Sequence, residues 1–456
     1  MDRRFELRMD ALLEECQVSP ALFDGMTDRL ARFVEPFAAR LQREEQKEHA
    51  LTYVSGLVSD LDRKNTESIA YRHDQGRLAL QRFVGVSKWD HTPLLTELAK
   101  QVGDELGEPD GVIVFDPSAF AKKGSESVGV QRQWCGRLGK IENCQVGVYM
   151  GYVSSKEHAL VDVRLCLSKD RAQDRAHRTK CHIPKHVRYQ TRHDLALEML
   201  REKGDLLPHA WITGDDEMGH SGRFRRELRE LGERYVLAVP SNTLVRDLEA
   251  AAPEYGGLGQ PPKTPFVRAE LWREKLGPEA WTQLVVRDGE KGPLMVEVAV
   301  CPVLAREAGR IGPEEMLVVI RRRSDDAAVV HDYYLSNATA DTRSAEFARV
   351  AKAEHRIEEA LQRGKSEAGL ADYEVRSWQG WYHHQTLSLM ATWFLVQEAR
   401  RGKKTDAGDH GSPNPCRTGA AAARRLQMRR THTHRTRTHT TLRTKSARQA
   451  LSLETA

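Results

Sequence analysis

The chain has 456 residues, a formal net charge of +5 and 40% hydrophobic residues, enough for two or three packed domains. No run of about 18 apolar residues occurs, and the opening MDRRFELRMDALLEE is charged, so neither a membrane span nor a secretory leader is expected and the chain reads as cytoplasmic. The seven cysteines are odd in number, widely spaced and lack a C-x-x-C, which argues against a disulfide framework or a zinc ribbon.

The charge is unevenly spread. Residues 401–456 hold 13 Lys and Arg against 3 Asp and Glu, a net of +10, which leaves −5 for the 400 residues before them. Nucleic-acid contact in the body therefore needs local patches, because its global charge is mildly acidic.

In chain order, residues 1–106 read as a helical domain. LARFVEPFAARLQ (30–42) and PLLTELAKQVGDELG (93–107) space their apolar residues as helices do. The texture changes at Gly111. GVIVFDPSAF (111–120), NCQVGVYMGYVSS (143–155) and HALVDVRLCLS (158–168) read as three successive strands joined by hairpin-like loops. DLALEMLREKG (194–204) has helical spacing, AWITGDDEMG (210–219) is a short strand ending in acid, FRRELRELG (224–232) a helix, and RYVLAVPSN (234–242) a fifth strand. The order β-β-β-α-β-α-β is that of a ribonuclease-H-like domain, an α/β fold with a mixed sheet and flanking helices.

Residues 242–341 are richer in Gly, Pro and β-formers; PLMVEVAVCPVL, EMLVVIRRR and VHDYYLSN are strand candidates, and the segment reads as a β-rich insertion. Residues 107–241 and 342–400 then form the two parts of the catalytic domain, the second with a helix at 343–364 and an apolar helix at 381–400. The remainder, 401–456, is basic and low in complexity. It has too little apolar surface to offset the entropy of ordering, so disorder is expected. It reads either as a DNA-tethering arm or as a passive terminus.

Two acids close predicted strands: Asp116 ends VIVFD and Asp215 ends AWITGD. In the proposed order these are neighbouring strands, so the carboxylates approach one another, and a divalent cation relieves their repulsion. Asp216 and Glu217 are alternatives for the second acid. A third acid is sought on helix 343–364, where Phe347, Val350, Ala351, Ile357 and Leu361 form one stripe and Glu358 lies at its edge. Lys365 follows two turns later on the same side. Phosphodiester cleavage needs an activated oxygen and a stabilised leaving group, which two Mg²⁺ ions supply, with Mn²⁺ as substitute. The bland alternatives are a turn at Asp116-Pro117, a helix cap at Asp215 or Asp216, and a solvated helix face at Glu358.

Several stretches together resemble transposases of insertion-sequence family 701, in the DDE superfamily: SVGVQRQWCGRLGKIENCQVGVYMGYVS (127–154), FDPSAFAKKG (115–124), WITGDDEMG (211–219) and RIEEALQRGKSEAGLADYEVRSWQGWYHH (356–384). The resemblance spans about Leu30 to Thr405. It implies a ribonuclease-H-like catalytic domain interrupted by a β-rich insertion, with Asp116, Asp215 and Glu358 as catalytic, metal-holding acids. It further implies DNA as partner, both the terminal inverted repeats and the target, and a homodimer on paired ends. The related signature Y-x2-R-x3-E-x6-K puts its last two members on Glu358 and Lys365, but Ala351 and Glu354 stand at its Tyr and Arg positions; Arg356 is the candidate replacement for the missing charge. Lys123 and Arg132, with Lys122, Lys140 and the basic stretch 175–193, are candidate DNA contacts. Trp381, Tyr382, His383 and His384 either stack on an unpaired base or pack a helix into the core. Two rival functions are a catalytically inactive DNA-binding descendant and a ribonuclease-H-like nuclease without strand transfer.

Overall fold

The computed structural model describes residues 24–257, 260, 262–289, 292–323 and 328–406. The low-complexity tail beyond residue 406 lies outside the described residues. In chain order the helices α1 (Met26–Ala38), α2 (Glu44–Leu57), α3 (Thr66–Arg72), α4 (Arg77–Gly85) and α5 (Thr92–Leu106) precede strands β1 (Val112–Ala121), β2 (Gln131–Cys135), β3 (Lys140–Val153) and β4 (His158–Cys166). Helix α6 (Arg192–Lys203), β5 (Trp211–Gly214), α7 (Asp216–His220), α8 (Gly222–Glu230) and β6 (Tyr235–Ala238) follow. Then come β7 (Leu244–Asp247), β8 (Val267–Arg268), β9 (Thr282–Gly289), β10 (Gly292–Glu307), β11 (Arg310–Arg323), β12 (Val329–Ser336), α9 (Ser344–Glu367) and α10 (Trp378–Asp406).

The chain divides into two compact units. One holds the described residues through Pro93, Arg363–Val375 and those from Gln379 on; the other holds Leu94–Gln362 and Arg376–Trp378. The first unit is helical. Phe33 of α1 meets Phe394 of α10 with ring centroids 5.3 Å apart, and Arg29 grips Glu398 through Nε and Nη2 at 2.8 and 2.7 Å. In α10, a helix buried on nearly all sides, His384 bonds Tyr53 Oη at 2.9 Å and His383 stacks on Trp89 at 3.6 Å. The apolar helix that the sequence groups with the catalytic part thus takes its partners from the N-terminal helices.

The second unit is a mixed sheet with helices on both faces. Its path runs β2-β3-β1-β5-β6-β12-β11-β10-β7-β8, with β4 beside β3 and β9 beside β10. Strands β1 and β3 are antiparallel, as are β3 and β4, while β1/β5 and β5/β6 are parallel. Strand β5 is short and buried throughout and β6 is buried except at Ala238, as strands covered on both faces must be. Phe115 meets Phe224 of α8, which places α8 on one face; His193 of α6 meets the same ring. Trp211 donates to Glu346 of α9 at 2.7 Å, which places α9 on the other. A Cβ on Gly151 of β3 would stand 2.4 Å from Ile357 Cδ1, so the missing side chain is what lets α9 approach the sheet.

Residues 242–341 do not fold away from this sheet. Strand β12 pairs antiparallel with β6, Leu335 opposite Leu237, so the β-rich segment continues the same sheet outward. Across that seam Glu315 of β11 is buried and accepts from Arg225 Nε of α8 at 3.0 Å and Tyr235 Oη of β6 at 2.5 Å. A separate apolar cluster, including Val245, Trp272, Val303, Leu317 and Leu335, closes the outer half. Two elements differ from the sequence reading. Strand β1 does not close at Asp116 but runs on to Ala121, paired with β3 throughout. The connection from β1 to β3 is no tight hairpin but carries an extra strand, β2, which pairs with the first residues of β3.

Gly219 of α7 faces β6 so closely that a Cβ would lie 1.9 Å from Ala238 O, a backbone atom that cannot swing away. Gly219→Ala is therefore expected to lower stability by about 3 kcal/mol, the overpacking cost outweighing the roughly 1 kcal/mol gained in helix propensity. Urea denaturation of the full chain checks this; an unchanged or raised midpoint contradicts the packing described.

Candidate acidic site

The site follows from register. Phe115 pairs with Gly214 across the parallel strands β1 and β5, so Asp116 and Asp215 are the next residue on each. Neighbouring strands lie about 4.8 Å apart, which brings the two carboxylates to one place. Alternation sets the face. Phe115 points to α8, so Asp116 points to the α9 side; Trp211 points to α9, so Asp215 shares that side two steps on. Both acids are half-buried, whereas Asp216 and Glu217 are exposed. Asp215 also caps α7, its carboxylate accepting from Met218 N–H at 3.0 Å, so the helix-cap role raised by the sequence is realised at this residue.

Helix α9 lays two further carboxylates over this face. Glu354 and Glu358 are four residues apart and share one side of the helix. Glu358 is exposed, at 58% of its side chain, and pairs with His355 at 3.2 Å. Glu354, one turn earlier, is half-buried. Burial, then the charges of Asp215, Glu358 and Asp116, hold its carboxyl well above the usual carboxylate range against the weaker pull of Lys352. Asp215 is likewise pushed up to about 7, first by burial, then by Glu217 and Asp216, with Arg192 opposing. Glu354 is the residue sequence reading passed over as a mere departure from a signature. Its signal was its position one turn before Glu358 on the inward side.

Four like-charged oxygen donors, three of which raise the proton affinity of Glu354, suit a hard divalent cation. Among the described residues no three His, Cys, Asp or Glu side chains already stand as a ready-made ligand set, so ligation requires side-chain rotation. Glu358, exposed and paired with His355, has the room for it.

The other residues singled out by sequence are spread more widely. Lys123 and Arg132 are exposed, Lys123 just beyond β1 and Arg132 on β2. Arg356 is half-buried and within 4.0 Å of Glu359; Lys365 is half-buried near the end of α9. Trp381, Tyr382, His383 and His384 do not offer a stacking surface. All four are buried, and His383 Nδ1 and Nε2 each lie 2.9 Å from a backbone carbonyl, Val84 O and Trp89 O. Burial lowers the proton affinity of His383 to about 3. These residues pack α10 into its unit. No helix among the described residues is long and apolar enough to cross a membrane.

Fold and site together define an α/β protein with an acid cluster where the pairing of two parallel strands stops. The chain belongs to the DDE superfamily endonucleases, whose family model matches residues 36–293, more than half of its length. Over 201 residues it is 27% identical to the probable transposase for insertion sequence element IS701 of Microchaete diplosiphon. That match takes in 42% of this chain and 49% of the relative, so the chain spans about half the length of the curated relative it matches. A cryo-EM structure of the piggyBac transposase synaptic complex with hairpin DNA aligns over 90% of this chain and 80% of that one, at 10% identity and a TM-score of 0.37, a likeness too loose to define a shared fold.

The raised affinities predict a pH dependence. An acid whose folded value exceeds its unfolded one binds more protons when folded, so its contribution to stability falls as pH rises from about 4 through about 7 and is then flat. The thermal midpoint of the metal-free chain is expected to drop over that window, and Mg²⁺ to raise it more at pH 8 than at pH 5. Asp215→Asn, which still caps α7, should flatten the slope. A slope unchanged in that variant contradicts the burial assigned to Asp215.

Proposed function

We propose that the chain is a transposase of the insertion-sequence 701 type, built on a ribonuclease-H-like sheet. It cleaves DNA at the inverted repeats that bound its element and joins the exposed 3′-hydroxyls to target DNA. The observation that carries this reading is the convergence of Asp116 and Asp215 just past the last paired residues of the parallel strands β1 and β5, with Glu354 and Glu358 above them. Family membership and the transposase relative support it.

In this reading Asp116, Asp215 and Glu358 hold two Mg²⁺ ions, with Mn²⁺ as substitute. When bound, such ions activate the attacking oxygen and stabilise the leaving one in an in-line displacement at phosphorus. The chain's own part is to fix the carboxylates on the rigid sheet, to present a scissile phosphate to them, and to exclude other oxygens by packing α9 over β1 and β3. Lys123, Arg132, Arg356 and Lys365 contact phosphates, and no covalent protein–DNA intermediate forms. The proposed organisation is an end-recognition domain at 1–106, a catalytic domain at 107–241 and 342–400 interrupted by a β-rich insertion at 242–341, and a basic tail at 401–456. Two copies assemble on paired ends in the cytoplasm, at the nucleoid.

A second reading is favoured by one observation. Glu354 adds a carboxylate where the family signature carries an Arg, and Glu358 is tied to His355. A descendant that binds DNA without cutting it would tolerate both. A nuclease that cuts without joining is the third possibility.

The test is excision of a marked element bounded by the inverted repeats that flank this gene, with cleavage and joining followed separately in Mg²⁺. Wild type is expected to excise and join, while Asp116→Asn, Asp215→Asn and Glu358→Gln each lose about a hundredfold or more, the scale of several kcal/mol of lost charge stabilisation. Binding without cleavage by the wild type establishes the inactive reading, and cleavage without joining the nuclease. Equal excision by wild type and Glu358→Gln removes Glu358 from the site and leaves Glu354 as the third acid.

A further inference from the structure

The β2–β3 hairpin carries an apolar pair that the fold does not use. Trp134 is 60% exposed, and Ile141, directly opposite on β3, is 59% exposed. Trp134 is the one exposed tryptophan of eight; the others are buried or half-buried. Single surface hydrophobes need no explanation, but a Trp facing an Ile on a two-stranded ribbon does. Beyond Cys144, β3 has left β1 behind and pairs with β2 alone.

The register shows which way this face looks. Asp116 pairs with Tyr149, and no bulge interrupts the pairing of β3 with β1 or with β2. Residues two apart on a strand share a face, so Asn143 and Ile141 project on the same side as Tyr149 and Asp116. Their partners Arg132 and Trp134 join them. Ile141 is eight residues from Tyr149, about 26 Å of extended strand. The ribbon thus continues the acid-bearing face outward.

Charge completes the picture. Asn143 Nδ2 donates to Lys122 O at 2.7 Å and to Gly124 O at 2.9 Å, which holds the Lys122-Lys123 segment against the ribbon. Glu142 belongs to the opposite face, where it pairs with Lys140 at 3.2 Å. The Trp134 face therefore presents an indole, an aliphatic neighbour and a guanidinium, with lysines alongside. A planar aromatic among cations on a path from a phosphate-handling site is what a single strand binds by base stacking.

We propose that this face is a DNA-binding surface in which the Trp134 indole stacks on an unpaired base while Arg132 meets the adjoining phosphate. The inference rests on DNA being the substrate, as in the proposed function.

Its test uses the full chain and two labelled DNAs, a blunt duplex and the same duplex with an unpaired tail of about five nucleotides containing 2-aminopurine. Wild type should bind the tailed DNA roughly tenfold more tightly and change the 2-aminopurine emission. Trp134→Ala should lose that preference and the emission change while binding the blunt duplex within about twofold; Trp134→Phe, which keeps a stacking ring, should retain most of both. Trp134→Ala weakening both DNAs equally, or neither, overturns the proposal. So does a fall in sedimentation coefficient with the tail preference intact, which would assign the face to a second copy of the chain. Wild type that binds both DNAs without preference refutes the stacking site alone, whereas folded wild type that binds neither refutes the DNA reading as well.

Discussion

The candidate site depends on one register, Phe115 opposite Gly214 across β1 and β5. Because side chains alternate strictly along a strand, a slip of one residue would send one acid to the α8 face and leave the other alone. The register is fixed by burial. Val112, Ile113, Val114 and Phe115 are buried, as are Trp211 and Ile212, and each face has its own helix to satisfy. The apolar strands hold the two carboxylates together against their repulsion.

The continuous sheet serves the same end. Antiparallel pairing of β12 with β6 turns what could have been a loosely tethered insertion into a rigid extension of the acid-bearing strands. The buried Arg225–Glu315 pair at the seam is weak evidence for stability, since desolvating two charges offsets much of their attraction. Its geometry is nevertheless demanding, because Glu315 also accepts from Tyr235 on β6. The effect is to fix how β11 and α8 meet, and α8 in turn packs beneath Phe115.

Much of this was legible in the sequence, for stated reasons. Short apolar runs followed by acid gave β5 with Asp215 just past its end and the buried first half of β1, but β1 runs on past Asp116 to Ala121, so that acid stands mid-strand where the parallel pairing with β5 stops. Strand β2 was missed because QRQWC opens with three polar residues and shows no apolar alternation, and its inward side is formed by Gln131, Gln133 and Cys135. The third acid was harder. Helical spacing puts Glu354 and Glu358 on one side but does not say which sits deeper. Depth is set by how closely α9 approaches the sheet, and that rests on Gly151, far away in sequence. The cluster Trp381–His384 invited a functional reading because aromatics and histidines are chemically versatile. A helix apolar on nearly all sides is more simply a buried one, and α10 is.

The electrostatics also constrain how an anionic substrate is met. The cations near the acids are already engaged: Lys352 with Asp332 at 2.8 Å, Arg192 with Glu217, and Arg356 near Glu359. The acid cluster therefore keeps a negative field, which draws divalent cations and repels phosphate until they are bound. Under the proposed function, positive charge for the DNA backbone must come from the margins of the site. The β2–β3 ribbon, with Arg132 and the neighbouring lysines on the face that Asp116 shares, stands where that requirement points.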